Sequence, residues 1–221
     1  MTARVVAALV LAVAGTAATL AQSPPAPAAP RNQGRLFPPE NLGLLEGPDR
    51  AVWQKPAEIM DALQIAEGSV VADIGPGAGW FTMRLAERVG PNGIVYARDV
   101  QREMVEAVRR RVSRAGFNNV LPAQSDYDDP KLQAHSLDAV SLVDVYQEIE
   151  NPVVYLRNVA AALKPNGRIG IVNYKPVPRG GPGPAMRIER SVVEADAKAA
   201  GLRVLSYQDV PPYMYLVVLG K

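Results

Sequence analysis

The segment "VVADIGPGAGWF", from Val70 to Phe81, limits the fold more than any other part of the chain. An apolar run ends in an acid, three glycines follow within five residues, and an amphipathic stretch begins at once. This is the pattern of a strand turning tightly into a helix. A strand so connected pairs in parallel with its neighbours, and the rest of the chain supplies them. Short apolar runs at 70–74, 94–98, 120–123, 137–143 and 168–174 predict strands. Amphipathic stretches at 80–89, 101–114, 152–163 and 191–200 predict helices, and another is expected from residue 56 to 63. Glycines at 90, 116 and 201 are placed to end three of these helices, and Pro165-Asn166-Gly167 is expected to turn the chain into the fifth strand. Two further runs, 203–207 and 213–219, are joined by "QDVPP", too short for a parallel crossover, so the last strand is expected to insert antiparallel. The expected fold is therefore α/β, a Rossmann-like, mostly parallel seven-stranded sheet with helices on both faces.

Composition narrows the chemistry. With no Cys and a single His, His135, neither a thiolate nor a histidine cluster is available to hold a metal, and none is expected. The 24 basic and 22 acidic residues nearly cancel, so no nucleic-acid partner is expected, and "RRR" at 109–111 reads as the solvated face of a helix. The chain starts with one Arg, an apolar stretch and small residues up to Ala21, as a secretory signal or membrane anchor does. The proline-rich "QSPPAPAAPRNQG" after it suits a linker. The expected organisation is a signal or anchor at 1–21, a linker at 22–35 and one domain at 36–221. The domain opens with an arm, 36–68, that carries Leu36, Phe37, Leu44, Leu45 and Trp53. The expected location is exported, periplasmic or secreted, with any membrane contact made through the N-terminal segment.

The glycine loop then has to be matched to a ligand. The dinucleotide fingerprint G-x-G-x-x-G places Trp80 where a small third residue belongs, and no Lys follows to complete a nucleotide-phosphate loop. Asp73 at the head of the loop repels a pyrophosphate but suits a cationic ligand such as S-adenosylmethionine (SAM), with its ammonium and sulfonium. Asp99, at the end of the second strand, is placed to accept from ribose hydroxyls, a role common to dinucleotides and SAM.

Five stretches in order, "VVADIGPGAGWF", "VYARDVQREMVEAV", "PAQSDYDDP", "LDAVSLVDVYQEIENP" and "ALKPNGRIGIVNY", resemble the motifs of the class I SAM-dependent methyltransferases. The subgroup they are most similar to holds the quinone-biosynthesis enzymes. The resemblance implies SAM as cofactor and the seven-stranded fold. It implies that Asp73, Gly75, Gly77 and Gly79 hold the methionine part and Asp99 the ribose. Val100 would touch adenine, Asp126 with Tyr127 beside it would meet the adenine amino group, and Asp144 would border the methionine moiety.

Methyl transfer from a sulfonium chiefly requires alignment of the nucleophile and exclusion of water. Asp144, Tyr146 and Glu148 are the catalytic candidates, with Tyr146 expected to shape the acceptor pocket. Where a related pattern reads "VYHEI" this chain has Gln147, which cannot serve as a base. The expected acceptor is a small or lipid-like molecule, and Arg179 or Arg187 in the loop after the fifth strand would meet an anionic group on it. Two rival readings stay open: a SAM-binding module without turnover, and a nicotinamide-dependent oxidoreductase. An exported domain also has to be reconciled with a cofactor made in the cytoplasm, through an anchor, a supply route or loss of catalysis.

Overall fold

In the computed structural model, residues 36–176, 183 and 186–221 are described. The expected signal or anchor, the linker and Arg179 lie outside them. Seven strands form one sheet in the order β3-β2-β1-β4-β5-β7-β6. They are β1 (Val70–Ile74), β2 (Ile94–Asp99), β3 (Val120–Gln124), β4 (Leu137–Val143), β5 (Leu163–Tyr174), β6 (Arg203–Val210) and β7 (Met214–Gly220). The first five run parallel, and β7 enters antiparallel between β5 and β6.

Side chains alternate across each strand, so the sheet feeds two separate cores. On one face Val71, Val95, Ala139, Val172 and Leu216 pack under α2 (Pro56–Ala62), α3 (Trp80–Val89) and α4 (Arg102–Ala115). On the other, Ala72, Val140, Ile171 and Val217 pack under α5 (Pro152–Ala162) and α6 (Arg190–Ala199). Each helix presents an apolar stripe to its core: in α4 the buried residues are Met104, Val105, Val108 and Val112, while its arginines and glutamates face outward. Gly116 caps α4 in the left-handed region, at φ 75°.

The chain enters through a 3-10 turn at Pro39–Leu45 and a short helix, α1 (Arg50–Gln54), before α2. Leu63, at the end of α2, lies against Gly170 of β5, where a Cβ would come within 2.8 Å of its methyl groups. The arm is thereby seated on the middle of the sheet. The structure departs from expectation at Pro165-Asn166-Gly167. These residues do not separate α5 from a later strand; β5 begins at Leu163, and pairing with β4 steps from Leu137↔Leu163 to Ala139↔Arg168. The surplus chain is taken up as a bulge, which turn chemistry alone cannot tell from a free loop.

Candidate active site

The carboxyl ends of β1, β2 and β4 open into a cavity of about 480 Å³, within the ~300–1,000 Å³ range of small-molecule sites. The cavity sits where the connections from β1 and β4 diverge to opposite faces of the sheet, the usual ligand position in open α/β folds. Gly75 and Gly77 line it, at φ 62° and 56°. A Cβ on Gly75 would lie 2.2 Å from the Val145 Cγ2 atom, so only glycine lets the loop pass the β4 end. Gly79 is outside the cavity lining; it precedes α3 at φ 82°, and a Cβ there would make only ordinary contact, 3.4 Å, with Val108 of α4.

Asp73, Asp99, Asp144 and Glu148 line the same space, with the exposed Glu150 at its edge. Asp73 is buried and accepts from the hydroxyls of Thr82 (2.7 Å) and Ser141 (3.0 Å), so it ties the glycine loop to α3 and β4. Burial raises its pKa to about 6 against those hydrogen bonds. Asp99 is raised to about 6 by burial as well, opposed by hydrogen bonds from the backbone N–H groups of Gln101, Gly77 and Val100. Asp144 holds a left-handed backbone at φ 57°, its pKa is raised by burial to about 7, and its buried Oδ1 has no hydrogen-bond partner. Glu148 is pushed by burial to about 8, opposed by a hydrogen bond from the Phe37 backbone. Glu148 and Asp144 therefore carry protons near neutrality that exposed carboxyl groups would have lost.

The arm closes the remaining side. Leu36, Phe37, Leu44 and Leu45 line the cavity, and Gln101 Nε2 donates to the Phe37 carbonyl at 3.0 Å. Arg50 of α1 reaches in from the same side, donating to Gln54 Oε1 (2.9 Å) and the Leu45 carbonyl (2.6 Å), with its guanidinium 4.5 Å from the Trp80 ring centre. Burial lowers the Arg50 pKa, and Asp144 is the first of the charges that offset this. Beneath Asp144, Asn173 Nδ2 donates to Gln147 Oε1 (2.8 Å) and Gln147 Nε2 donates to the Asp144 carbonyl (2.8 Å). Gln147 thus holds the strained turn on which Asp144 sits.

Sequence reasoning missed Arg50, Asn173 and Ser125. Arg50 belongs to the site only because α1 folds across it, and no local spacing announces that. Val100 and Tyr127 line the cavity, Tyr127 at its exposed rim. Two expected residues are elsewhere. Tyr146 is fully buried in the opposite core and donates to Asp196 Oδ2 at 2.9 Å, because the 3-10 turn at Tyr146–Glu148 directs it toward α6. Asp126 points away from the cavity to an exposed ion pair with Lys131 (2.8 Å), and it is Ser125 that lines the wall. Arg187 donates to the Lys175 carbonyl at 2.8 Å, next to Tyr174.

A model of the methyltransferase domain matches residues 71–167, from β1 into the β5 bulge. Protein-L-isoaspartate O-methyltransferase of Methanothrix thermoacetophila is 30% identical over 146 residues, covering 62% of this chain and 67% of that protein. The chain belongs to the class I SAM-dependent methyltransferases. SAM is its cofactor. The ubiquinone/menaquinone biosynthesis C-methyltransferase of Pseudomonas fluorescens is 26% identical over 132 residues, covering 59% of this chain and 51% of that one. A solved SAM-dependent methyltransferase from Aquifex aeolicus superposes with a TM-score of 0.80 at 29% identity, covering 83% of this chain and 98% of that one. The chain spans about half the length of several other curated relatives, 48% and 43% in two cases.

The residues present fit SAM. The carboxyl of Asp73 offers an acceptor to a cationic amino-acid end and Asp99 offers one to a ribose, while Asp144, with its unpartnered Oδ1, lines the space beside them. The buried Trp80, with the Arg84 guanidinium stacked 3.3 Å from its ring centre, fills the start of α3, where a dinucleotide-binding turn needs a small residue.

Proposed function

We propose that the protein transfers a methyl group from SAM to a small or lipid-like, largely apolar acceptor whose reacting atom gives up a proton. One observation carries this reading: a single cavity joins the glycine loop and the acids of β1 and β2 to an apolar wall, with a partly protonated carboxyl pair between them. The apolar wall is supplied by Leu36, Phe37, Leu45, Ile149 and Met186, with the exposed Leu44 at its rim. What bound SAM supplies is an electrophilic methyl group on a sulfonium. Asp73, Gly75 and Gly77 hold the amino-acid end, Asp99 accepts from the ribose and Val100 flanks the base. Asp144, with a free lone pair at Oδ1 and a pKa near 7, takes the acceptor proton, and Glu148, protonated at neutral pH, holds the acceptor by donating to it. The arm excludes water from the same space.

The relatives include both quinone-biosynthesis and protein methyltransferases. The small-molecule side is favoured here because the segment from Leu36 to Arg50 roofs the cavity and leaves apolar side chains facing inward. The test is incubation of the full chain with methyl-labelled SAM and three acceptors: hydroxylated aromatics, a hydroquinone lipid and an isoaspartyl peptide. Label in either of the first two is expected; label confined to the peptide would overturn the reading. Export belongs to the same proposal and is supported by the apolar start of the sequence. It predicts a mature chain starting near Gln22 outside the cytoplasm, and N-terminal sequencing after cell fractionation that found only Met1 in the cytoplasmic fraction would refute it.

A further inference from the structure

The basic segment of α4 has no part in this chemistry, yet it faces a second concavity. Successive turns of α4 bring Ala107, Arg110, Arg111, Arg114 and Ala115 to one side, and α3 brings Met83, Arg84 and Glu87 to face them. The depression between them has a volume of about 750 Å³. Its alanines leave room, and its guanidiniums form the rim. Four arginines stand against the lining carboxylates Glu46 and Glu87 and against Glu106, 4.0 Å from Arg110, so the groove keeps an excess of positive charge.

Two of these arginines are held in place before any ligand arrives. Arg84 stacks on Trp80 and donates to its carbonyl at 2.7 Å. Arg111 donates to Glu46 of the arm and, at 3.3 Å, to the Ala78 carbonyl of the glycine loop. The two repel each other enough to contribute to the lowered pKa of Arg84, after burial. Arg114 makes no ion pair among the described residues. Two preoriented guanidinium forks beside the exposed Arg110 and Arg114 match the oxygens of a phosphoryl group.

The groove and the cavity share a wall. Leu45 and Gly77 face the cavity, while their chain neighbours Glu46 and Ala78 face the groove. We propose that Arg84, Arg110, Arg111 and Arg114 form a binding site for a phosphoryl anion, free or on a lipid headgroup, and that its occupant competes with Glu46 for Arg111 and so loosens the arm over the cavity. Coupling of this kind is reciprocal, so an arm held closed weakens anion binding.

The test is calorimetric titration of the full chain with inorganic phosphate at fixed ionic strength. A parallel arm uses co-sedimentation with phosphatidylglycerol or phosphatidylcholine vesicles. The variants are Arg84→Gln/Arg114→Gln, Glu46→Gln and, as a control outside the groove, Arg102→Gln, with thermal unfolding to verify that each is folded. Saturable phosphate binding is expected in the wild type and the control. It should weaken at least tenfold in the double variant and strengthen several-fold in Glu46→Gln. Binding to phosphatidylglycerol vesicles alone, lost in the double variant, would identify the lipid headgroup as the source. Phosphate and vesicle binding equal in wild type and double variant, or no tighter in Glu46→Gln, would overturn the proposal. None of these readouts depends on methyl transfer.

Discussion

The two halves of the cavity are built in different ways. The half at β1 and β2 is local: strand, glycine turn and helix follow one another, and Asp73 is bonded to Thr82, only nine residues on. The half at β4 is assembled from distant parts, where Arg50 from α1, Glu148 from the β4 turn and Asn173 from β5 meet around Asp144. The local half uses backbone geometry to shape a site for one fixed ligand. The assembled half uses carboxyl groups and apolar side chains that tertiary packing brings together, and each can be exchanged one at a time.

The largest effect is expected where the halves touch. Gly75→Ala places a methyl group against Val145 and forces a left-handed backbone, at a cost of about 2–4 kcal/mol in urea unfolding and with loss of SAM binding. Adding Val145→Ala should recover part of the stability, since only the contact is relieved. Next is Asp99→Ala, expected to weaken SAM about 10–100-fold by calorimetry, as loss of hydrogen bonds to a charged acceptor does. Glu148→Gln should leave SAM affinity within a few-fold, which would place Glu148 on the acceptor side.

The halves should also separate by pH. All four acids have folded pKa values above their unfolded ones, so the folded state retains protons that the unfolded state releases, and stability falls as pH rises. For Asp73 and Asp99 the loss runs from about pH 4 to 6; for Asp144 and Glu148 it continues to about 7 and 8. Each group contributes at most on the order of 1 kcal/mol per pH unit within its window. Urea midpoints of the ligand-free protein should therefore keep falling between pH 6 and 8, and Glu148→Gln should flatten that part of the curve. An unchanged slope in the variant would contradict the burial of Glu148. The smallest effects belong to the displaced residues: Tyr146→Phe should cost about 1 kcal/mol through the lost bond to Asp196, and Asp126→Asn should be nearly silent, both with unchanged SAM binding.

The same division explains what was legible in the sequence. Periodicity located all seven strands, and the brevity of "QDVPP" foretold the antiparallel β7, because these are local signals. The gathering of Asp73, Gly75, Gly77 and Asp99 at the strand ends was legible for the same reason. Tyr146 was misplaced because one residue of rotation in a 3-10 turn decides which core receives a side chain, and spacing does not encode that rotation. Ser125 and not Asp126 lines the cavity, on a similar one-residue margin. Arg50 was invisible because its place depends on the docking of α1. The turn at Asp144 is held through Gln147, which is itself bonded to Asn173 of β5, a tertiary fact.

The central claim is that this cavity is a SAM site anchored on Asp99. Calorimetric titration of the full chain with SAM and with NAD, repeated on Asp99→Ala, tests it most directly. Binding of SAM and not NAD, weakened at least tenfold by the substitution, is the predicted result. A folded protein that binds NAD instead, or binds SAM equally well without the Asp99 carboxylate, would contradict the account.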